Sequence, residues 1–346
     1  MMVINMKKKA ITLLFLLLSA YIAWHLLKFL PNITWSDFLN FKTVFLSIII
    51  EALPFLLIGV LVSALLQNFF SEETIRKFLP GNRILNILLA GFLGIVFPVC
   101  ECGIVPVARG LVSKGVPLYS AITFMLAAPI INPVVASSTA VAFGANPEMV
   151  WFRLGLAFFV SFAAGYLLSF WFDGREVKWG AAQDDFGCGC GHAHYDHHHH
   201  LPSAFTAKIF YTLHSASDEF FDMGKYLIIG SALAALAQTF VPRDIILNVG
   251  HHSLASIASM MTFAFGISVC SSADAFIAAS FAGNFTAGSL LAFMVFGPMI
   301  DIKNILMMLN AFQARFVAVL IIIVSLLVAV STYLINFAAV GGASDC

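Results

Sequence analysis

Phe97-Pro98-Val99-Cys100-Glu101-Cys102-Gly103-Ile104-Val105-Pro106 sets two thiols and a carboxylate between two prolines, inside a segment that is otherwise apolar. An ionisable side chain at bilayer depth costs about 2.5–3.5 kcal/mol on insertion scales, so it faces a bundle interior or a wet cavity and not lipid. Proline removes a backbone donor and breaks a helix, and broken backbone at that depth is tolerated only where protein or a cavity covers it. The stretch predicts a broken helix whose polar residues line a pocket. A plainer alternative is a kinked helix that buries Cys100 and Cys102 as small hydrophobes. Glu101 between them argues for the pocket.

The surrounding chain supports placing this stretch in a membrane. Of 346 residues, 60% are hydrophobic and only 10% charged, where soluble domains average about a quarter charged. Lysine plus arginine and aspartate plus glutamate number eighteen each, so no overall field points to nucleic acid. The six cysteines do not have the regular spacing of a secreted disulfide framework. The composition predicts an all-α polytopic protein with about seven to nine membrane helices, embedded in a lipid bilayer.

Lys7-Lys8-Lys9 precede an apolar run from Ala10 to Leu30 with no clear cleavage site, which predicts an uncleaved first helix and a cytoplasmic N-terminus. Further spans are expected at about 44–70, 84–111, 118–143 and 149–172, the fourth broken at Ala128-Pro129-Ile130-Ile131-Asn132-Pro133. Glycine, charge and histidine then replace the apolar runs from Asp173 to about Pro202. Phe205, Ile209, Leu213, Ala216 and Phe220 recur at helical spacing, predicting an amphipathic helix on the membrane surface. Spans resume at about 223–240, 254–282, 287–311 and 314–338.

The second half repeats the first. Glu51, Gly59 and Gln67 return as Asp222, Gly230 and Gln238; Phe97-Pro98-Val99-Cys100 returns as Ile267-Ser268-Val269-Cys270; Pro129-Ile130-Ile131-Asn132 returns as Pro298-Met299-Ile300-Asp301. Three landmarks in one order at nearly one offset point to gene duplication and to a shared site between the halves. The organisation is residues 1–43, an N-terminal helix and lead-in; 44–172, repeat one; 173–221, a Cys/His-rich loop with the amphipathic helix; and 222–346, repeat two. If residues 84–111 dip in and return, nearly all basic residues outside the first helix lie on the cytoplasmic side. The positive-inside rule therefore favours inverted repeats, each with a re-entrant hairpin.

Cys100 and Cys102, with Cys270 from repeat two, could offer three thiolates to a soft centre such as trivalent arsenic or antimony, Cu(I) or Zn(II). Residues two apart point to opposite sides of a helix, so the pair converges only in a non-helical turn. Asn132 and Asp301, each following a helix-breaking proline, are candidate binding residues or simple helix caps. Asp274 follows Cys270 by four residues, and Lys303 is expected to pair with Asp301 or Asp274. Glu101, Asp274 and Asp301 are candidates for a proton relay. Separately, Cys188, Cys190, His192, His194, His197, His198, His199 and His200 form a tract whose composition binds Zn, Cu or Ni without needing a fold, either functionally or adventitiously. No cofactor is required by this reading.

The chain resembles the ArsP-type, YraQ-like permeases, a family that includes exporters of trivalent organoarsenicals. The resemblance rests on Pro98 to Gly103, on Ala128 to Pro133, and on the echoes Val269-Cys270-Ser271-Ser272-Ala273-Asp274 and Gly297-Pro298-Met299-Ile300-Asp301. It covers about residues 44–338. It implies a multi-pass permease of a bacterial inner membrane, and for arsenical carriers it implies metalloid-binding thiols, which map onto Cys100, Cys102 and Cys270, with Ser271 beside the last. The expected function is secondary transport of a small thiophilic solute or metal ion, since no P-loop is present. Two other classes remain: an intramembrane thiol oxidoreductase, and a metal-binding membrane partner or sensor that transports nothing.

Overall fold

The computed structural model describes residues 35–69, 80–96, 99–144, 147–172, 177, 205–240 and 253–342. The helix expected at Ala10–Leu30 and the Cys188–His200 tract lie outside them. Residues up to Val44 form one unit, of which the described part is the start of the first helix, and Phe45–Cys346 form a second. The described residues are almost wholly helical.

The twelve helices of the described residues fall into two matching sets of six. The first set is α1 Trp35–Phe69, α2 Arg83–Val96, α3 Glu101–Ser113, α4 Leu118–Ala127, α5 Pro133–Ala142 and α6 Pro147–Leu168. The second is α7 Phe205–Phe240, α8 Ser253–Ile267, α9 Asp274–Ser280, α10 Ala287–Met299, α11 Ile302–Ala311 and α12 Ala314–Gly342. Among the described residues, five segments are long and apolar enough to cross a membrane, within α1, α6, α7 and α12 and from α10 through α11, and four shorter apolar helices accompany them. The chain is a polytopic membrane protein, as the composition predicts.

The breaks fall where the prolines and cysteines predict. In repeat one, α2 ends before Pro98, and α3 begins after Cys100, which takes the N-cap position in extended conformation. In repeat two, α8 ends at Ile267, and α9 begins at Asp274. The Asn132 side chain caps α5 by accepting the Val135 N–H at 2.9 Å. Asp301 caps α11 by accepting the Asn304 N–H at 2.5 Å. Both caps have nearly the same backbone, φ −141° and ψ 156° against φ −132° and ψ 171°. A Ser, Asn or Asp cap satisfies helix N–H groups that would otherwise be orphaned, which matters most in hydrocarbon, where water cannot replace it.

Packing repeats as well. In each half the second helix packs on the fourth, the fourth on the sixth, and the sixth on the second. Between halves, α3 packs on α11 and α9 on α5, while α6 and α12 meet each other. That exchange of partners is the signature of a pseudo-twofold axis, and it brings the third helix of each repeat against the fifth helix of the other. The outer faces of α1 and α12 carry exposed Ile50, Phe55, Ile58, Ile322, Leu326 and Phe337, suited to lipid contact. α10 is buried along nearly its whole length.

Two glycines let α1 reach the site. A Cβ on Gly59 would stand 2.3 Å from the Gly103 carbonyl oxygen, so only glycine permits this approach of α1 to α3, as small-residue packing in membranes requires. Ser63 then donates to the Pro106 carbonyl at 3.0 Å.

One expectation is corrected. The surface helix at 205–220 and the span at 223–240 are one continuous helix, α7, of 36 residues. No proline interrupts it. Its polar stretch is held helical by His214 with Asp218 at 3.0 Å and by Asp222 with Lys225 at 2.8 Å, spacings that place the partners on one helix face.

Candidate functional site

The site lies where the break of repeat one meets the start of α11. Pro106 sits inside α3 and supplies no N–H to the helix ladder. Glu101, the first residue of α3, is 1% exposed. Its Oε1 accepts a hydrogen bond from Lys303 Nζ at 3.2 Å. Lys303 also donates to the Ser268 carbonyl at 3.4 Å and lies 3.6 Å from Asp301 Oδ2. Ser268 has φ +49°, the left-handed region, alone among the described non-glycine residues. Holding a serine there costs of order 1–3 kcal/mol, and the turn places its carbonyl against the lysine. Three segments from both repeats therefore converge on one ammonium.

The thiols surround this cluster without closing on one point. Cys100 is the extended cap of α3 and only Cys102 is helical. The turn expected for the pair is thus the helix start itself. Cys102 is buried, whereas Cys100 and Cys270 are each half-buried. The Cys270 thiol is in hydrogen-bond contact with Ser272 Oγ at 3.3 Å. Among the described residues, no group of three or more His, Cys, Asp or Glu side chains is close enough to hold a metal ion. The expected trithiolate cage is not formed in this conformation: Cys102 is buried in the core and Cys270 bonds to Ser272.

Asp274 is not Lys303's partner. It binds Arg153 of α6, whose Nη2 donates to Oδ1 at 2.8 Å and to Oδ2 at 2.9 Å. The same nitrogen reaches the carbonyl of Ser271 at 2.8 Å and that of Met294 at 3.2 Å, and Nη1 donates to Thr139 at 2.7 Å. Arg153 is fully buried. It is the residue that sequence reasoning missed, although a charge inside an apolar span was the available signal. A fork-shaped guanidinium suits this role because it offers several donors in one plane. It ties the loop of repeat two to repeat one through the Ser271 carbonyl and the Asp274 carboxylate.

Asn132 and Asp301 both act as caps, and Asn132 also donates to the Ala128 and Pro129 carbonyls, each at 3.2 Å. They differ in charge. A neutral amide suffices for the cap in repeat one, so the negative charge of Asp301 exceeds what capping needs, and it lies beside Lys303.

A family model described as "Predicted permease", of the ArsP type, matches residues 37–337. The UPF0718 protein YcgR of Bacillus subtilis is 46% identical over 301 residues, covering 87% of this chain and 98% of that protein. A "putative two-component membrane permease complex subunit" of Streptococcus mutans is 43% identical over 282 residues, covering 82% of this chain and 90% of that protein. No solved structure matches the chain significantly. The broken, paired repeats and these similarities agree: the chain belongs to the ArsP-type family of predicted permeases.

Proposed function

We propose that this permease moves a small thiophilic solute, a trivalent organoarsenical or a soft metal ion, across the bacterial cytoplasmic membrane, with its N-terminus in the cytoplasm. The observation that carries the reading is the matched pair of breaks, each presenting one half-buried cysteine, Cys100 and Cys270, beside a buried charge cluster. Thiols select soft centres over the hard cations of the cytoplasm. Half-burial lets a solute reach them while most water is excluded. Cys100 and Cys270 serve as the first thiols met, and Cys102 engages when the two breaks move together. Alternation of the two repeats about their shared site would carry the solute from one side to the other. The name of the Streptococcus mutans relative describes a two-component complex, and a second subunit is part of this proposal.

The test is uptake of methylarsenite by proteoliposomes and by everted membrane vesicles from the native host, where any second subunit is present. Cys100→Ser and Cys270→Ser each should lower flux at least tenfold, about 1.4 kcal/mol, because a hydroxyl is a harder and far less acidic donor than a thiol. Flux at the wild-type rate in a variant lacking Cys100, Cys102 and Cys270 would overturn the thiol site. Stoichiometric reduction of a model disulfide with no flux would identify an oxidoreductase instead.

A further inference from the structure

The cluster at the meeting of the repeats contains two carboxylates and one ammonium. Glu101, Asp301 and Lys303 are 1%, 1% and 3% exposed. Fully ionised, they carry one uncompensated negative charge. The nearest other buried cation, Arg153, is already matched by Asp274 at 2.8 Å. Glu101 Oε2 has no hydrogen-bond partner. An unpaired buried charge costs several kcal/mol. The helix starts at α3 and α11 contribute partial positive charge, but such effects reach only about 2 kcal/mol in favourable geometry.

We propose that this pocket holds one exchangeable proton on the Glu101 carboxyl facing Lys303, and that this proton is the coupling ion of the permease. The inference builds on the transport reading above, but its first test does not use the cargo. A proton fits better than a metal cation on two grounds. The ammonium already occupies the point between Glu101 Oε1, Asp301 Oδ2 and the Ser268 carbonyl, at 3.2, 3.6 and 3.4 Å. No cluster able to hold a metal ion exists among the described residues. Glu101 Oε2 and Asp301 Oδ2 both lack a hydrogen-bond partner, but Asp301 is held in place through Oδ1 as the cap of α11, whereas Glu101 holds no such cap position, so Glu101 is the carrier.

The groups facing this proton come from every packed element. Lys303 and Asp301 belong to α11, and Cys100 and Cys102 to its own segment. Cys270 comes from repeat two, Glu51 from α1, and Asp274 is held by Arg153 of α6. Farther off, α7 carries Glu219 and α3 carries Arg109. In the transport step the proton passes from water to a Glu101 carboxylate on one side and returns to water on the other. When it leaves, Glu101 and Asp301 repel one another across Lys303, which favours separation of α3 from α11 and hence movement of the repeats.

Infrared difference spectroscopy of the purified full chain near neutral pH tests the proton site. The wild type should show the carbonyl stretch of one protonated carboxylic acid, shifted in D2O. Charge counting fixes the variants: Glu101→Gln and Asp301→Asn each leave one carboxylate opposite Lys303, so both should lose the band. Lys303→Met leaves two carboxylates and no ammonium, and should raise the signal toward twofold. Asp301→Asn keeps the cap, as Asn132 does, so it guards against misfolding. A wild type without the band, or a band unchanged in both Glu101→Gln and Asp301→Asn, overturns the proton site. In proteoliposomes carrying methylarsenite, a pH gradient should change wild-type flux and leave Asp301→Asn flux unresponsive. A band accompanied by pH-independent wild-type flux overturns the coupling role. A band with no methylarsenite flux at all counts against the cargo reading and leaves the proton site standing.

Discussion

The two breaks descend from one pattern and now differ in what they hold. In repeat two, Asp274 at the start of α9 is gripped by Arg153 through both oxygens, and the same guanidinium takes two backbone carbonyls. Every charge there is matched. In repeat one, Glu101 at the start of α3 has one oxygen bonded to Lys303 and the other without a partner. One break is fastened and the other carries an imbalance. The contrast separates two uses of intramembrane charge, which is expensive in either case: a charge-matched fork fixes helices, even with its Nε unpartnered, whereas a carboxylate in charge excess retains the capacity to bind and release.

The largest effect should follow from loosening the fastened break. Arg153→Met leaves Asp274 buried without its cation, which for buried pairs costs about 3–5 kcal/mol. Thermal unfolding in detergent, followed by size-exclusion fluorescence, should show a large loss of stability, and Arg153→Met/Asp274→Asn should recover part of it. Equal stability of the single variant and the wild type would erase the distinction between the two breaks.

A smaller effect should follow from giving repeat one the charged cap of repeat two. Asn132→Asp retains the acceptor for Val135 but removes the amide that donates to the Ala128 and Pro129 carbonyls. It buries a carboxylate with no lysine opposite, since Val134 stands where repeat two has Lys303. The cost should be about 1–3 kcal/mol, that of an unsatisfied buried group, measured by the same unfolding assay. No loss would mean that the charge of Asp301 is incidental to its surroundings.

The smallest effect concerns Ser268. At φ +49°, glycine meets no Cβ penalty, so Ser268→Gly should relieve strain and change stability by less than about 1 kcal/mol in either direction, because glycine also gains freedom when unfolded. If the strain serves to aim the carbonyl at Lys303, infrared bands of the Glu101 cluster should shift while unfolding hardly changes.

The breaks, their repetition and the membrane class were legible because proline and a polar residue in an apolar run leave few physical options. Pro129 and Pro298 with their following Asn132 and Asp301 announced helix starts, and these are where α5 and α11 begin after their caps. The pairing of charges was not legible. Lys303 follows Asp301 by two residues, yet its shortest ionic contact is to Glu101, 202 positions away, and only the exchange of helices across the pseudo-twofold axis makes that contact. Arg153 lies about one and a half turns into α6, where a long basic side chain commonly snorkels to the interface; its burial depends on α5, α9 and α10 arriving around it. The surface helix at 205–220 misled because an amphipathic stretch looks alike whether it lies on a membrane or extends a span.

The exchange of helices between repeats also makes the halves dependent on one another. Glu101 finds its cation in the other half, and Asp274 finds its guanidinium there too. Either half made alone would insert apolar helices while leaving a carboxylate stranded in hydrocarbon, the kind of defect that membrane quality control removes. The duplication is therefore no longer divisible: two copies of one plan have exchanged their counter-charges, and the chain must be completed before either copy is sound.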